Sequence, residues 1–239
     1  MFGQNKITKQ HIGDGKTLNV VEIFPTIQGE GPFAGQPAIF IRLGGCNLKC
    51  YFCDTDFESN VQTVHIDEIV ETIAELRKEI ETDLIVLTGG EPMLQNIVPL
   101  LKELEPEYRV QIETAGTVWV PGLERLFRNT GSWQRVFIVC SPKTGTVNER
   151  VQQYCNDWKY IIMEGCVSEE DGLPTMSTQL TGKVQKLARP HFVAPHIYLQ
   201  PCDEKDEVNN KRNLALTVEL AMKYGYRVCL QQHKVMGVE

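Results

Sequence analysis

Three cysteines fall within the stretch Gly44-Gly45-Cys46-Asn47-Leu48-Lys49-Cys50-Tyr51-Phe52-Cys53-Asp54-Thr55, spaced C-x3-C-x2-C. They come directly after an apolar run, Ala38 to Leu43, so the fold must deliver three thiolates on a tight loop at the end of a strand. Such a loop can hold three irons of a [4Fe–4S] cube, leaving the fourth iron open for a small molecule to chelate. Structural zinc takes four protein ligands, and an electron-transfer cluster usually takes four cysteines. No fourth cysteine follows at ferredoxin-like spacing. On the residues alone, an inert loop or a zinc knuckle completed by a distant Cys140, Cys166, Cys202 or Cys229 stays open.

Around this loop, strand-like and helix-like segments alternate. Val20–Phe24 and Ala38–Leu43 read as strands, the second placing Ile39, Ile41 and Leu43 on one face and Ala38, Phe40 and Arg42 on the other. Ile66 to Glu79 has apolar residues at helical spacing, with Asp67 and Glu68 in its first turn. Further strands are expected at Leu84–Leu87, Arg109–Ile112, Val136–Cys140, Trp158–Met163, His196–Gln200 and Tyr226–Leu230. Helices are expected over 95–104, 118–135 and 209–224, loops over 28–35 and 54–65, and a loose arm or edge hairpin over 1–18. Residues 144–156 are mixed, and 164–195 carry no readable pattern. Strands alternating with helices predict βαβ units, a mostly parallel sheet and an α/β fold.

Nearly every expected strand runs out into a residue with chemistry: Arg42, Thr88, Glu113, Ser141, Gln200, and Gln232 with His233. In a parallel barrel those ends share one rim, where active sites sit. Arg42 stands on a strand otherwise made of Ile, Ala, Phe and Leu, so its charge must pair or leave through the rim.

At 239 residues the chain fits a single domain spanning 1–239, and 42% hydrophobic residues suffice for a sizeable core. A net charge of −7 argues against a nucleic-acid partner. No run of 18 apolar residues exists, so no membrane span is expected. Eight cysteines, three of them clustered, fit a reducing cytoplasm better than a disulfide scaffold.

The C-x3-C-x-φ-C pattern, with Phe52 before the last cysteine, resembles the signature of radical S-adenosylmethionine (SAM) enzymes. Glu22-Ile23-Phe24-Pro25-Thr26-Ile27-Gln28-Gly29-Glu30-Gly31, Phe40-Ile41-Arg42-Leu43, Cys53-Asp54-Thr55, Thr88-Gly89-Gly90-Glu91-Pro92, Glu113-Thr114-Ala115-Gly116-Thr117, Ser141-Pro142-Lys143, Gln200-Pro201 and Gln232-His233-Lys234 narrow the match. Together they resemble the 7-carboxy-7-deazaguanine synthase family across almost the whole chain.

The resemblance implies a modified, incomplete (β/α) barrel of about six core strands. It implies a lyase that takes 6-carboxy-5,6,7,8-tetrahydropterin to 7-carboxy-7-deazaguanine with loss of ammonia, on the way to queuosine. Cys46, Cys50 and Cys53 would hold the [4Fe–4S] cluster. SAM would meet Gly89, Gly90 and Glu91 at its amino end, Ser141 and Lys143 at its carboxylate, Glu113 at the ribose, and Gln200, Pro201, Cys202 and Asp203 at the adenosine, with Phe52 and Pro142 also among the cofactor-binding residues. The pterin would meet Ile27, Gln28, Gly29, Glu30, Thr88 and His233, its carboxylate would face Arg42, and the terminal carboxylate of Glu239 would reach its guanidine-like edge. Thr55 would be a ligand to Mg²⁺. An electron donor such as flavodoxin and a homodimer complete what the family implies. Two rival readings are a glycyl-radical activating enzyme acting on a protein partner, and a zinc-stabilised binding module without turnover.

Overall fold

The computed structural model describes residues 4–127, 134–179, 186–191 and 196–238. Its strands form one nine-stranded sheet in the order β3-β1-β2-β4-β5-β6-β7-β8-β9. β1 (Thr17–Ile27) pairs antiparallel with both β2 (Pro37–Leu43) and β3 (Gln62–His65). From β2 onward every pairing is parallel, through β4 (Leu84–Gly89), β5 (Arg109–Thr114), β6 (Val136–Cys140), β7 (Asp157–Ile162), β8 (His196–Pro201) and the two-residue β9 (Arg227–Val228). Among the described residues β9 and β3 have no pairing with each other, so the sheet curls without closing. This is the incomplete barrel that the resemblance implies.

Burial on both faces explains why the central strands read as apolar runs. Ile39, Ile41 and Leu43 of β2 and Ile85 and Leu87 of β4 pack into the main core outside the sheet, with Ile69 and Ile73 of α1 (Ile66–Leu76) and Leu100, Leu101 and Leu104 of α2 (Val98–Leu104). Ala38, Leu84 and Val86 point the other way and form a small plug with Phe33 and Phe40 inside the curl. Two residues further along those strands the inner face turns polar, at Arg42 and Thr88. The plug therefore floors a space that opens at the C-terminal ends of the strands.

The helices begin and end on ordinary local signals. His65 caps α1 by accepting from the Asp67 amide at 3.3 Å, with Asp67 and Glu68 in the first turn. α3 (Glu149–Tyr154) is capped by Asn148, and α4 (Glu207–Tyr224) by Asp206, which accepts from the Asn209 amide at 2.8 Å. Gly225 ends α4 with φ +74°, a left-handed conformation that glycine adopts without penalty. α5 (Gln232–Met236) closes the chain. None of the described helices is long and apolar enough to cross a membrane.

Several expectations need correction. The loop expected over 54–65 ends in β3, whose pairing with the extended N-terminal half of β1 is a long-range effect that its polar residues do not announce. Among the described residues the helix expected over 118–135 is only a short 3-10 turn at Leu123–Phe127. The helix expected from Gln95 starts at Val98, because Pro92–Leu94 forms a separate 3-10 turn. Gln232 and His233 lie on α5, not at a strand end. Residues 4–12 are not loose: the Thr8 amide donates to the Cys46 carbonyl at 2.8 Å, Asn5 Nδ2 to the Leu48 carbonyl at 2.8 Å, and the His11 amide to the Leu94 carbonyl at 2.9 Å. The arm straps the cysteine loop to the body.

Gly90 seats that loop from the other side. A Cβ there would collide with the Gly45 carbonyl oxygen, one residue before the first cysteine. Gly90→Ala should cost about 2 kcal/mol through overpacking, read as a lower urea midpoint at unchanged m-value; an unchanged midpoint would show that the cysteine loop yields.

Candidate active site

The C-terminal ends of the parallel strands surround one cavity of about 380 Å³. Phe40 and Arg42 line it from β2, Thr88 and Gly89 from β4, Glu113 from β5, Ser141 just past β6, Lys159 and Ile161 from β7, and Gln200 and Pro201 from β8. Phe40 and Arg42, like Lys159 and Ile161, share the inner face of the sheet because side-chain direction alternates along each strand. The cysteine loop closes one wall with Cys46, Cys50, Phe52, Cys53, Asp54 and Thr55, and the C-terminal segment closes another with Gln231, His233 and Lys234.

The three thiols line this one space, yet among the described residues no three His, Cys, Asp or Glu side chains gather around a single point as one metal ion would require. Cys46 is the deepest, and burial first of all pushes its thiol up to about 12. Cys50 is braced from the segment whose pattern the sequence left unreadable: Thr178 Oγ1 lies 3.1 Å and Gln179 Nε2 3.3 Å from its sulfur. Hydrogen bonds to a cluster sulfur raise its reduction potential, so these two residues fit the surroundings of a ligand thiolate.

The charges of the cavity are nearly all paired. Glu30 forms an ion pair with Lys159 and accepts from Gln231 Nε2 at 2.9 Å. Burial works to raise the Glu30 carboxyl, but the Lys159 charge and hydrogen bond, helped by Gln231, hold it below the usual carboxylate range. Burial also works to lower Lys159, and Glu30 followed by Glu113 lifts it above its ordinary value. Lys234 on α5 clasps Asp54 at 2.9 Å and Asp203 at 3.2 Å, tying the cysteine loop to the segment after β8. Two groups stand apart. Among the described residues Lys143 has no carboxylate partner; its ammonium donates to the Ser141 carbonyl at 2.8 Å and hydroxyl at 2.5 Å. Among the described residues Glu113 makes no ion pair, and its oxygens accept from Gln28 Nε2 at 3.1 Å, Gln111 Nε2 at 3.0 Å and Thr88 Oγ1 at 3.0 Å. The site thus offers the Lys143 ammonium to an anionic ligand group and the Glu113 carboxylate to donors.

A profile of the radical SAM superfamily matches residues 40–160, the stretch that carries the cysteine loop and the first five strands of the rim. A 7-carboxy-7-deazaguanine synthase from Rhodospirillum rubrum is 40% identical over 244 residues, covering 100% of this chain and 100% of that protein. The chain belongs to the radical SAM superfamily, in its 7-carboxy-7-deazaguanine synthase family. Another synthase of that name, from Rickettsia prowazekii, is 39% identical over 249 residues, covering 100% of this chain and 96% of its own. The crystal structure of QueE from Escherichia coli shares the fold, with a TM-score of 0.62 at 22% identity over 90% of this chain and 93% of that one. Membership in the superfamily implies a [4Fe–4S] cluster and SAM, and three thiols lining one cavity together with Lys143 fit both.

Most family-derived site residues converge here. Gln28, Glu30, Arg42, the three cysteines, Phe52, Thr55, Thr88, Gly89, Gly90, Glu113, Ser141, Lys143, Gln200, Pro201, Cys202, Asp203 and His233 all line the cavity. Ile27, Gly29, Glu91 and Pro142 are not among its lining residues. Glu91 is fully buried, its oxygens taken by Thr114 Oγ1 at 2.8 Å and by the Ala115 and Met93 amides at 2.8 and 3.1 Å. It braces the Gly89-Gly90 turn. Gly29 makes room for a neighbour, since a Cβ there would collide with the His233 ring. Glu239 lies outside the described residues. Lys159 and Gln231 were not expected from the sequence, although a lone lysine in an apolar strand carries the same signal as Arg42.

The Glu30–Lys159 pair yields a prediction. Because the Glu30 carboxyl is held low, its contribution is complete above its ordinary value of 4.5 and is lost as the pH falls through the lowered folded value. Lys159→Met leaves Glu30 buried without its cation and should destabilise by about 3–5 kcal/mol at neutral pH. Lys159→Met/Glu30→Gln, with no charge left to bury, should recover a substantial part. Urea unfolding of both variants checks this; an equal loss in the double mutant would mean that packing rather than charge is at stake.

Proposed function

We propose that this enzyme converts 6-carboxy-5,6,7,8-tetrahydropterin to 7-carboxy-7-deazaguanine with release of ammonia, a carbon–nitrogen lyase step of queuosine and related deazapurine biosynthesis. The observation that carries the reading is one cavity lined at once by three cysteines, by Lys143, which has no carboxylate partner among the described residues, and by Arg42. When bound, the cluster and SAM supply the one-electron chemistry that removes a hydrogen atom from the substrate. In this reading Cys46, Cys50 and Cys53 hold the cluster. The Lys143 ammonium and Ser141 hydroxyl take the SAM carboxylate, where a charge-assisted hydrogen bond is strong. Gly89 and Gly90 offer backbone groups to its amino end, and Gln200 to Asp203 flank the adenosine.

The remaining residues position the pterin. Arg42 takes the substrate carboxylate through its planar guanidinium. Gln28, Thr88 and Glu113 already form one hydrogen-bonded set, so a donor-rich edge that replaces one of those bonds finds the others in place. Glu30, kept ionised by Lys159, accepts from the guanidine-like edge. His233 is held below its ordinary value, chiefly by burial, and so offers a neutral imidazole near pH 7. The Thr55 hydroxyl is the protein's ligand to Mg²⁺, which prefers oxygen and keeps several waters. A flavodoxin-like donor supplies the electron, and two copies of the chain associate.

Anaerobically reconstituted protein should carry about four irons and four sulfides per chain. With SAM, a reductant and 6-carboxytetrahydropterin it should then release 7-carboxy-7-deazaguanine. A full cluster without that product would defeat the substrate assignment, whereas one bound zinc would defeat the cluster itself. Thr55→Ala should shift the magnesium dependence of turnover to higher concentration; an unchanged titration would put the ligand elsewhere.

A further inference from the structure

The guanidinium of Arg42 is held on two sides, and among the described residues its Nε has no partner. Glu22 and Arg42 are cross-strand partners in the antiparallel β1–β2 pair, and a register shift between Val20 and Glu22 lies next to them. Such irregularities re-aim side chains and are common beside active sites. Arg42 Nη1 lies 2.9 Å from Glu22 Oε1. The Phe24 ring covers one face of the guanidinium, with its centroid 5.3 Å from the central carbon. Phe24 in turn rests against Phe40, so the face is fixed by the floor of the cavity.

The edge left over is the one that suits a carboxylate. Nη1 lies on the Cδ side of an arginine, and the opposite edge presents Nε–H and Nη2–H in parallel, a bidentate fork. This protein uses that edge twice elsewhere. Arg109 gives Nε and Nη2 to the two oxygens of Asp83 at 2.8 and 2.5 Å, and Arg189 gives the same pair to Asp171 at 2.8 and 3.2 Å. In Arg42 the Nε atom is buried without a partner, while the residue lines the cavity. A buried donor left unmade is costly, so among the described residues the Arg42 Nε–H lacks its acceptor.

We propose that Glu22 is a positioning residue for ligand selection: by taking Nη1 it turns the Nε–Nη2 edge of Arg42 into the cavity, ready for a planar carboxylate held side-on. The inference rests on the reading that Arg42 takes the substrate carboxylate, and adds that orientation outweighs charge. The two effects have opposite signs. Glu22 is itself an anion, so by charge alone it repels an incoming carboxylate, and its removal should tighten binding. By orientation, removal frees the guanidinium to rotate and should weaken it.

The test uses cluster-reconstituted enzyme with SAM and two probes that require no turnover, 6-carboxypterin and pterin without the carboxylate, followed by fluorescence titration. Glu22→Leu, which has no acceptor, should weaken 6-carboxypterin binding by about tenfold or more, as expected for a lost hydrogen-bonded charge contact, and leave pterin unchanged. Glu22→Gln keeps an acceptor for Nη1 and should stay close to the parent affinity. Tighter binding of 6-carboxypterin by either variant would show that charge dominates and would overturn the proposal. Glu22→Gln, the milder change, can still reveal such tightening even if the leucine variant fails to fold. Arg42→Ala separates the two levels. If it weakens 6-carboxypterin while Glu22→Leu does not, the positioning role of Glu22 fails alone; if Arg42→Ala also binds like the parent, the assignment of Arg42 to the carboxylate fails with it.

Discussion

A charge borne on a strand buried on both faces must find a counter-charge, a ligand or water. The inner face of this sheet begins as an apolar plug of Ala38, Leu84 and Val86 and ends in Arg42, Thr88, Glu113 and Lys159. Because the strands run parallel, all of these polar ends arrive on the same rim. Each solves its burial differently: Lys159 pairs with Glu30, Glu113 gathers three neutral donors, and Arg42 is only partly satisfied by Glu22. The cavity follows from that requirement, since a floor of apolar side chains and a rim of charges cannot pack together.

The cysteine loop is fastened to this rim from several directions. The N-terminal arm bonds it at Cys46 and Leu48, the Gly89-Gly90 turn packs beneath it, Thr178 and Gln179 brace Cys50, and Lys234 holds Asp54. In the proposed function these three thiols hold the cluster, and such support lowers the entropy that a free loop would lose on binding. The supports come from sequence positions as far apart as Asn5 and Lys234, which makes the ligand loop a meeting point for the whole chain. Glu91 has a similar office: its buried carboxylate fixes the turn that approaches the loop.

Much of this was legible in the residues. The apolar runs of β2, β4, β5, β6 and β8 and the helical spacing of α1 and α4 announce themselves, since burial imposes period and composition locally. Arg42 was conspicuous as a lone cation in an apolar strand. Lys159 carried the same mark in Asp157–Ile162, but no motif drew attention to it. The short β3 was hidden, because Gln62–His65 is polar and owes its conformation to β1. The expected helix over 118–135 shows the reverse error, where local character promised more than the described residues contain.

By itself the sequence determined the cysteine spacing, the alternation of strands and helices, and the kinds of groups at the strand ends, because these depend on neighbours a few residues apart. Only the tertiary structure decided which of those groups are committed to one another. It paired Glu30 with Lys159, gave the buried Glu91 carboxylate to Thr114, Ala115 and Met93, and among the described residues left Lys143 without a carboxylate partner and Arg42 Nε without an acceptor. The reason is physical: whether a polar group is spent or free depends on what stands within about 3 Å of it, and those neighbours lie on other strands, far away along the chain.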